Sequence, residues 1–237
     1  MTAETTLVIT AHPDDVDYGA AGTIAAWTRA GAAVTYCIVT PGDNGGFDPA
    51  VARDQIPVIR RAEQIAAARE VGVTDVRFLD YKDGSVQVTL ELRRDLSRVI
   101  RSVRPHRVVT HSPERNWTMI GASHPDHLAV GEAATCAVYP DARNPFAYPE
   151  LLADEGLADH IVRELWLIGS PRPDHFPDIT ATYERKVAAL RRHASQMTDP
   201  SGGPSPRLEE RLRDNAKRGG LPDGALAEAF QVVRIDY

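Results

Sequence analysis

Short apolar, β-branched runs alternate with longer helical patterns along almost the whole chain, and this alternation limits the fold more than any other feature. LVITA (7–11), VTYCIVT (34–40), VRFLD (76–80), RVVTHS (107–112) and LWLIG (165–169) read as strands, with QVVRI (231–235) as a closing strand. Between them, residues 16–31, 52–71, 90–103, 124–138, 181–197 and 207–218 read as helices. Gly31 and Gly72 close the first two helices, and Pro105 follows the third. Such an order predicts βαβ units and an α/β fold with a mostly parallel sheet. The strands are near-continuous apolar runs, as sheets covered on both faces require. There is no internal repeat and no clean linker, so residues 1–237 are expected to form one domain. Residues 140–163, with Pro140, Pro145 and Pro149, read as an irregular excursion at a substrate rim or an oligomer contact. DPSGGPSP (199–206) reads as a turn-rich segment.

Composition removes several classes of function. The chain has 237 residues, 43% of them hydrophobic, enough for a substantial core. A formal net charge of -6 argues against broad attraction to nucleic acid or anionic lipid. The two cysteines, Cys37 and Cys136, lie in apolar surroundings and read as reduced core thiols, with no CxxC site. The start of the chain lacks a basic segment followed by an apolar stretch, and no run reaches ~18 apolar residues. No membrane insertion is expected, and the chain reads as cytoplasmic.

Two ionic clusters fall where strands give way to helices. His12-Pro13-Asp14-Asp15 follows the first strand, and His124-Pro125-Asp126-His127 opens the helix after the fourth. Ligands of open parallel sheets bind at the carboxyl ends of the strands. Residues three apart at a helix start share one side of a turn, so His12 can converge with Asp15 and His124 with His127. Three groups drawn from these pairs make a zinc site of nitrogen and oxygen ligands, and three protein ligands plus a water is the catalytic pattern. A divalent cation also offsets the repulsion between adjacent carboxylates. Each motif alone has a plainer reading: Asp14, Asp15 or Ser123 as a helix cap, or an acidic residue at a helix N-terminus. The pairing of two such motifs favours the metal site. His111, at the end of a strand, is placed to line the pocket, whereas His106, His160 and His175 read as ordinary histidines.

AHPDD (11–15) and SHPDH (123–127) resemble the signature motifs of the PIG-L/LmbE-like de-N-acetylases. TPGDNGG (40–46), RRAEQIAAAREVG (60–72), DG (83–84), HASQ (193–196) and AEAF (227–230) extend the resemblance from about Leu7 to Phe230. It implies a Rossmann-like three-layer sandwich, LmbE-like, and hydrolysis of an N-acyl group, most often N-acetyl, on an amino-sugar-containing small molecule. It implies His12, Asp15 and His127 as ligands of Zn2+, with Fe2+ or another divalent ion suiting the same donors. Asp14 becomes the general base, His124 the group that stabilises the oxyanion or protonates the amine, and Asp126 a carboxylate that orients a neighbouring histidine. Arg60 and Asp83 are implied as substrate contacts, loop 42–47 as a pocket wall, and the assembly as a homo-oligomer.

Three other readings compete. A non-haem Fe(II) oxygenase would use His12, Asp14 and a distant histidine, although such triads sit typically on all-β barrels. A nucleotide-binding enzyme would use GAAGT (19–23), but no G-x-G-x-x-G follows the first strand, and those glycines suit close packing of the first helix on the sheet. A noncatalytic metal- or carbohydrate-binding protein on the same fold would keep the ligands without amidase activity.

Overall fold

Leu7, Val8 and Ile9 are all completely buried, yet they belong to two different cores. Successive strand residues point to opposite faces, and here both faces are covered. Leu7 and Ile9 pack with Leu92, Leu96, Ile100, Val108 and Val130. Val8 packs with Val16, Ile24, Tyr36, Ile38, Val109, Trp166 and Phe230 on the other side. A helix–sheet–helix sandwich follows from that pattern.

The computed structural model describes residues 4–197 and 206–235. Its strands are β1 (Thr5–Thr10), β2 (Ala33–Ile38), β3 (Asp75–Phe78), β4 (Arg107–His111), β5 (Glu164–Ile168) and β6 (Phe230–Arg234). Its α-helices are α1 (Asp15–Gly19), α2 (Ala21–Arg29), α3 (Ile56–Glu70), α4 (Leu90–Val103), α5 (Pro125–Cys136), α6 (Pro149–Ala153), α7 (Tyr183–Arg191) and α8 (Pro206–Arg218). The sheet order is β3-β2-β1-β4-β5-β6. Five strands run parallel, and β6 pairs antiparallel to β5. The α/β reading and its mostly parallel sheet are therefore observed. All six expected strands are present, with no end shifted by more than two residues. DPSGGPSP lies outside the described residues, apart from Pro206 at the start of α8. Among the described residues, no helix is long and apolar enough to cross a membrane.

The chain leaves β1 to one side and β4 to the other, so the carboxyl ends of these neighbours border the crevice where the strand order reverses. That crevice is the general ligand site of such sheets. The helix expected over 16–31 is broken there, at Ala20, into α1 and α2. Both broken ends have partners. The Glu228 carboxylate accepts from Gly22 N at 3.0 Å and Thr23 N at 2.8 Å, in the first turn of α2. The Lys186 ammonium donates to Asp17 O and Tyr18 O, late in α1, at 2.8 and 2.9 Å. Lys186 and Glu228 are themselves paired at 2.7 Å. Backbone groups at helix ends need such partners when buried.

Other local departures have simple causes. The helix expected from residue 52 begins at Ile56, with Pro57 in its first turn, a position proline favours. The helix expected to reach 138 gives way after Cys136 to a distorted turn over Ala137–Asp141 that contains Pro140. Cys37 is a core residue, but Cys136, also expected to be a core thiol, is half-buried. Ser123, considered as a cap for α5, instead accepts from Asn116 N. The excursion at 140–163 is pinned beneath α4, where Arg93 pairs with Asp141 and the Arg101 guanidinium donates to Asp141 O, Ala142 O, Asn144 O and Ala147 O.

Gly19 packs against β5, where a Cβ would come within 2.9 Å of the Ile168 side chain. Gly131 is more demanding, because a Cβ there would lie 2.5 Å from His111 O, an atom of the sheet's own backbone. Gly131 stands four residues after His127 on α5, so both share a face. A Gly131→Ala variant is expected to push α5 off the end of β4. Urea unfolding should show a loss of about 1–3 kcal/mol. Unchanged stability would show that α5 does not depend on this close approach.

Candidate functional site

β1 ends in an extended turn, His12-Pro13-Asp14, before α1 begins at Asp15. Asp14 has φ 90, in the left-handed region. Residues with side chains adopt it at a cost that must be met by neighbours. Two side chains one turn apart on α3 hold it. Gln64 Oε1 accepts from Asp14 N at 2.8 Å, and Arg60 Nη2 donates to Pro13 O at 2.7 Å. Arg60 also donates to Gly42 O at 3.0 Å and lies 3.3 Å from Asp14 Oδ2. Gln64 Nε2 donates to Asp17 Oδ2, and His193 Nε2 meets the same oxygen at 2.8 Å. The sequence reading did not isolate Gln64, Asp17 or His193. The polar pair Arg60 and Gln64, four apart on a helix whose face is otherwise apolar, was the available signal.

The turn puts Asp14 and Asp15 on different sides. Asp15 points into the crevice and accepts from His12 N at 2.7 Å through Oδ2. His127, in the first turn of α5, brings its Nε2 to 3.1 Å from Asp15 Oδ1 and 3.3 Å from His12 Nδ1. His12 Nδ1 is 3.4 Å from Asp15 Oδ2. Donors held about 2.0–2.1 Å from a tetrahedral ion lie about 3.3 Å from one another; the contacts here are of that length, with Asp15 meeting His127 through Oδ1 and His12 through Oδ2. On the far edge of the His12 ring, Nε2 is 3.1 Å from Asp126 Oδ2 and 3.1 Å from Asp83 Oδ1. Those carboxylates accept from Nε2–H, so the neutral ring turns its Nδ1 lone pair toward His127 and Asp15, the arrangement usual around metal-bound histidine.

Charge also favours a cation. Burial alone lowers the basicity of His12, but hydrogen bonds to Asp126, Asp15 and Asp83 outweigh it and raise its pKa to about 12. Without a metal, a proton held on His12 supplies the positive charge among these carboxylates. Asp15 is held well below the usual range: burial would raise it, but charge on His127 and a hydrogen bond from His12 stabilise the carboxylate. Asp14 moves the other way. Burial and repulsion from Asp15 push it up to about 7, against the pull of Arg60.

His111 sits closer to the cluster than a pocket-lining role requires, with Nε2 3.2 Å from Asp15 Oδ2 and its ring stacked on His127. That nitrogen also accepts from Ala11 N at 3.1 Å. Burial pulls its pKa down to about 4, so it is neutral and its Nε2 lone pair is engaged. His124 is exposed, and one of its nitrogens lies within 4.8 Å of donor atoms of His12 and His127. Its Nδ1 accepts from Asp126 N at 3.2 Å, which places the proton of the neutral ring on Nε2. Asp126 touches His12 rather than His124 with its side chain, and is fixed by Gly84 N and Val86 N.

Arg60 and Asp83, expected at the substrate, are both buried and engaged by the protein. Asp83 accepts from Asn44 N at 3.1 Å besides approaching His12. Any bond they give a substrate is shared with these partners. A cavity of about 690 Å³ opens beside Asp15, His111 and His127. Neither loop 42–47 nor segment 140–163 lines it; Gly45, Gly46 and Phe47 border a separate cavity. The oxygenase alternative loses its carboxylate, because Asp15, not Asp14, stands next to His127.

Comparison with known proteins agrees with this geometry. The PIG-L family, GlcNAc-PI de-N-acetylase, matches residues 7–138. Diacetylchitobiose deacetylase of Thermococcus kodakarensis is 32% identical over 197 residues, 81% of this chain and 70% of the relative. The probable N-acetyl-alpha-D-glucosaminyl L-malate deacetylase 2 of Bacillus subtilis is 32% identical over 221 residues, 90% of each chain. Among solved structures, N,N'-diacetylchitobiose deacetylase from Pyrococcus horikoshii superposes with a TM-score of 0.87 at 28% identity, covering 98% of this chain and 85% of the other.

The Asp14 environment yields a signed expectation. Arg60 favours the ionised carboxylate, so its removal raises the Asp14 pKa. In metal-free protein carrying carboxyl-labelled aspartate, carbon NMR should show Asp14 titrating near 7 and the Arg60→Gln variant titrating higher. A shift to lower pH would mean that Arg60 does not set the charge of Asp14.

Proposed function

Because the chain belongs to the PIG-L family of GlcNAc-PI de-N-acetylases, we propose that it is a single-domain, zinc-dependent hydrolase that removes an N-acetyl group from an amino-sugar-containing small molecule. The observation that carries the reading is the convergence of His12 Nδ1, His127 Nε2 and the Asp15 carboxylate, whose Oδ1 faces His127 and Oδ2 faces His12, at 3.1–3.4 Å, with Asp14 beside them on the same turn.

In this reading His12, Asp15 and His127 hold the ion. Bound zinc supplies Lewis acidity, which lowers the pKa of a water toward ~7 and polarises the amide carbonyl. The chain's own groups do the rest. Asp14 takes a proton from the attacking water as its oxygen bonds to the amide carbon; a base with a pKa near 7 is matched to that task. His124 offers its Nε2–H to the developing oxyanion, a type of contact often worth a few kcal/mol. The proton on Asp14 then passes to the nitrogen as the C–N bond breaks, giving acetate and a primary amine. Asp126 and Asp83 keep the His12 ring oriented, and Gln64 and Arg60 hold the Asp14 turn.

The test is a zinc-loaded screen against N-acetylated amino sugars that detects released amine. Wild type should turn over at least one of them. Asp14→Asn should keep its metal by elemental analysis and lose on the order of 10²–10⁴ in kcat. His12→Ala and His127→Ala should lose the metal itself. An Asp14 variant that loses metal beside an Asp15 variant that keeps it would reverse the two roles. Stoichiometric zinc with no released amine from any substrate would leave a noncatalytic binding protein.

A further inference from the structure

One helix grips the Pro13–Asp14 peptide at both ends. The carbonyl oxygen accepts from Arg60 Nη2 at 2.7 Å, and the N–H donates to Gln64 Oε1 at 2.8 Å. Arg60 and Gln64 stand one turn apart on α3, so their side chains reach opposite edges of a single peptide plane. The grip opposes a specific motion. Asp14 has φ 90 and ψ -28. Turning this peptide over changes only Pro13 ψ and Asp14 φ. It carries Asp14 to a negative φ, where the same ψ lies in the right-handed helical region open to any residue. Asp14 O would keep its bonds from Asp17 N and Tyr18 N, at 2.9 and 3.0 Å, so α1 does not resist the flip. The flipped turn is the locally relaxed one, and the observed turn persists because its surroundings hold it.

Gln64 holds the plane in one amide orientation only. Turned end for end, its amide would present N–H groups to Asp14 N. Asp17 selects the useful orientation, because a carboxylate only accepts: its Oδ2 takes Gln64 Nε2 at 3.0 Å. The same oxygen takes His193 Nε2 at 2.8 Å, and the Asp17 and His193 side chains are wholly buried. Among the described residues the other Asp17 oxygen meets no hydrogen-bond partner, so everything this carboxylate binds is Gln64 and His193. His193 follows α7, and nearby Ser195 is tied to Glu63 of α3 through N and Oγ, both at 2.7 Å. A buried carboxylate short of donors is costly, so His193 holds Asp17 in place against Gln64.

We infer that His193 and Asp17 are positioning residues: through Gln64 they lock the Pro13–Asp14 peptide against this flip and keep the Asp14 carboxylate aimed at the water it deprotonates. What Asp14 does rests on the deacetylase reading above; how it is held rests on the hydrogen bonds alone. A flip swings the Asp14 Cα–Cβ bond, and a displacement of ~1 Å at a reacting group can cost on the order of 10²-fold in rate. Asp15 lies beyond the rotating peptide, at the start of α1, so the metal donors are not the part that moves.

Zinc-loaded, nitrogen-labelled protein tests this with two readouts: deuterium exchange of the Asp14 amide, followed by NMR, and steady-state release of amine from an N-acetylated amino sugar. Gln64→Met removes the acceptor, and His193→Phe removes the donor to Asp17. Each should speed Asp14 amide exchange by on the order of 10-fold relative to the amides of β1. Each should keep stoichiometric zinc by elemental analysis and lower kcat on the order of 10²-fold with KM little changed. His193→Gln keeps an N–H within reach of Asp17 and should recover most of kcat. Arg192→Gln, which breaks the exposed pair with Glu70 next door, should change neither readout. Unaltered Asp14 exchange in both Gln64→Met and His193→Phe, exchange speeded equally throughout the sheet, loss of zinc, or faster exchange with kcat intact would each overturn the assignment. Selectively faster exchange at Asp14 in variants of a protein whose wild type releases no amine from any substrate would keep the lock and sink the deacetylase reading.

Discussion

Parallel pairing of β1 with β4 is the constraint on which everything at the site depends. Ile9 lies opposite Thr110 in that ladder, so chain positions a hundred residues apart end side by side at the same crevice. The hydrogen bond from Ala11 N to His111 Nε2 continues the pairing one step beyond the strands. From there the chain turns into α1 on one side and, after a loop, into α5 on the other. His12 and Asp15 come from the first exit, His124 and His127 from the second. A slip of β1 against β4 would separate the donors by whole residues, about 3.3 Å each, more than any side-chain adjustment recovers while keeping their 3.1–3.4 Å contacts.

Electrostatics then decides what this crevice holds. Four carboxylates, from Asp14, Asp15, Asp83 and Asp126, stand among four imidazoles, from His12, His111, His124 and His127. The carboxylates do not behave alike. Asp15 is stabilised as an anion by histidines on two sides, and Asp126 by His12 and two backbone N–H groups. Asp14 sits between repulsion from Asp15 and attraction to Arg60, and it alone is carried toward neutrality. Environments that push neighbouring carboxyls apart in pKa assign them different work. Two adjacent aspartates in one sequence can thus be a ligand and a proton carrier because the backbone turn between them aims them at different partners.

Much of this was legible in the sequence because it is local. The strand runs, the positions of both His-Pro-Asp motifs at strand ends, and the i, i+3 relation of His12 to Asp15 need no knowledge of distant residues. The left-handed Asp14 was not legible. Its support comes from Gln64 and Arg60, about fifty residues on, and reaches through Asp17 to His193. Asp126 was expected to orient a neighbouring histidine; the histidine its side chain contacts is His12, over a hundred residues away, rather than a neighbour within its own motif. His111 looked like a simple pocket residue because a strand end says nothing about a ring stacked on His127. Gly131 gave no signal at all: a glycine in a helix is meaningful only once the carbonyl it faces is known.

The break between α1 and α2 shows the same division between local pattern and distant cause. Residues 16–31 carry an unbroken helical pattern, and a continuous helix would satisfy its own backbone. The fold instead interrupts it and recruits Lys186 and Glu228, both essentially inaccessible to solvent, to the exposed ends. Burying an ion pair is expensive unless every donor and acceptor is used, and here the ammonium makes three contacts and the carboxylate three. Those contacts tie α7 and the segment before β6 to the turn that presents Asp14 and Asp15. The interruption also leaves Tyr18 and Gly19 on the wall of the large cavity, where a straight helix would have carried the chain in a different direction. The buried charges of Lys186 and Glu228 therefore serve the shape of the site rather than its chemistry.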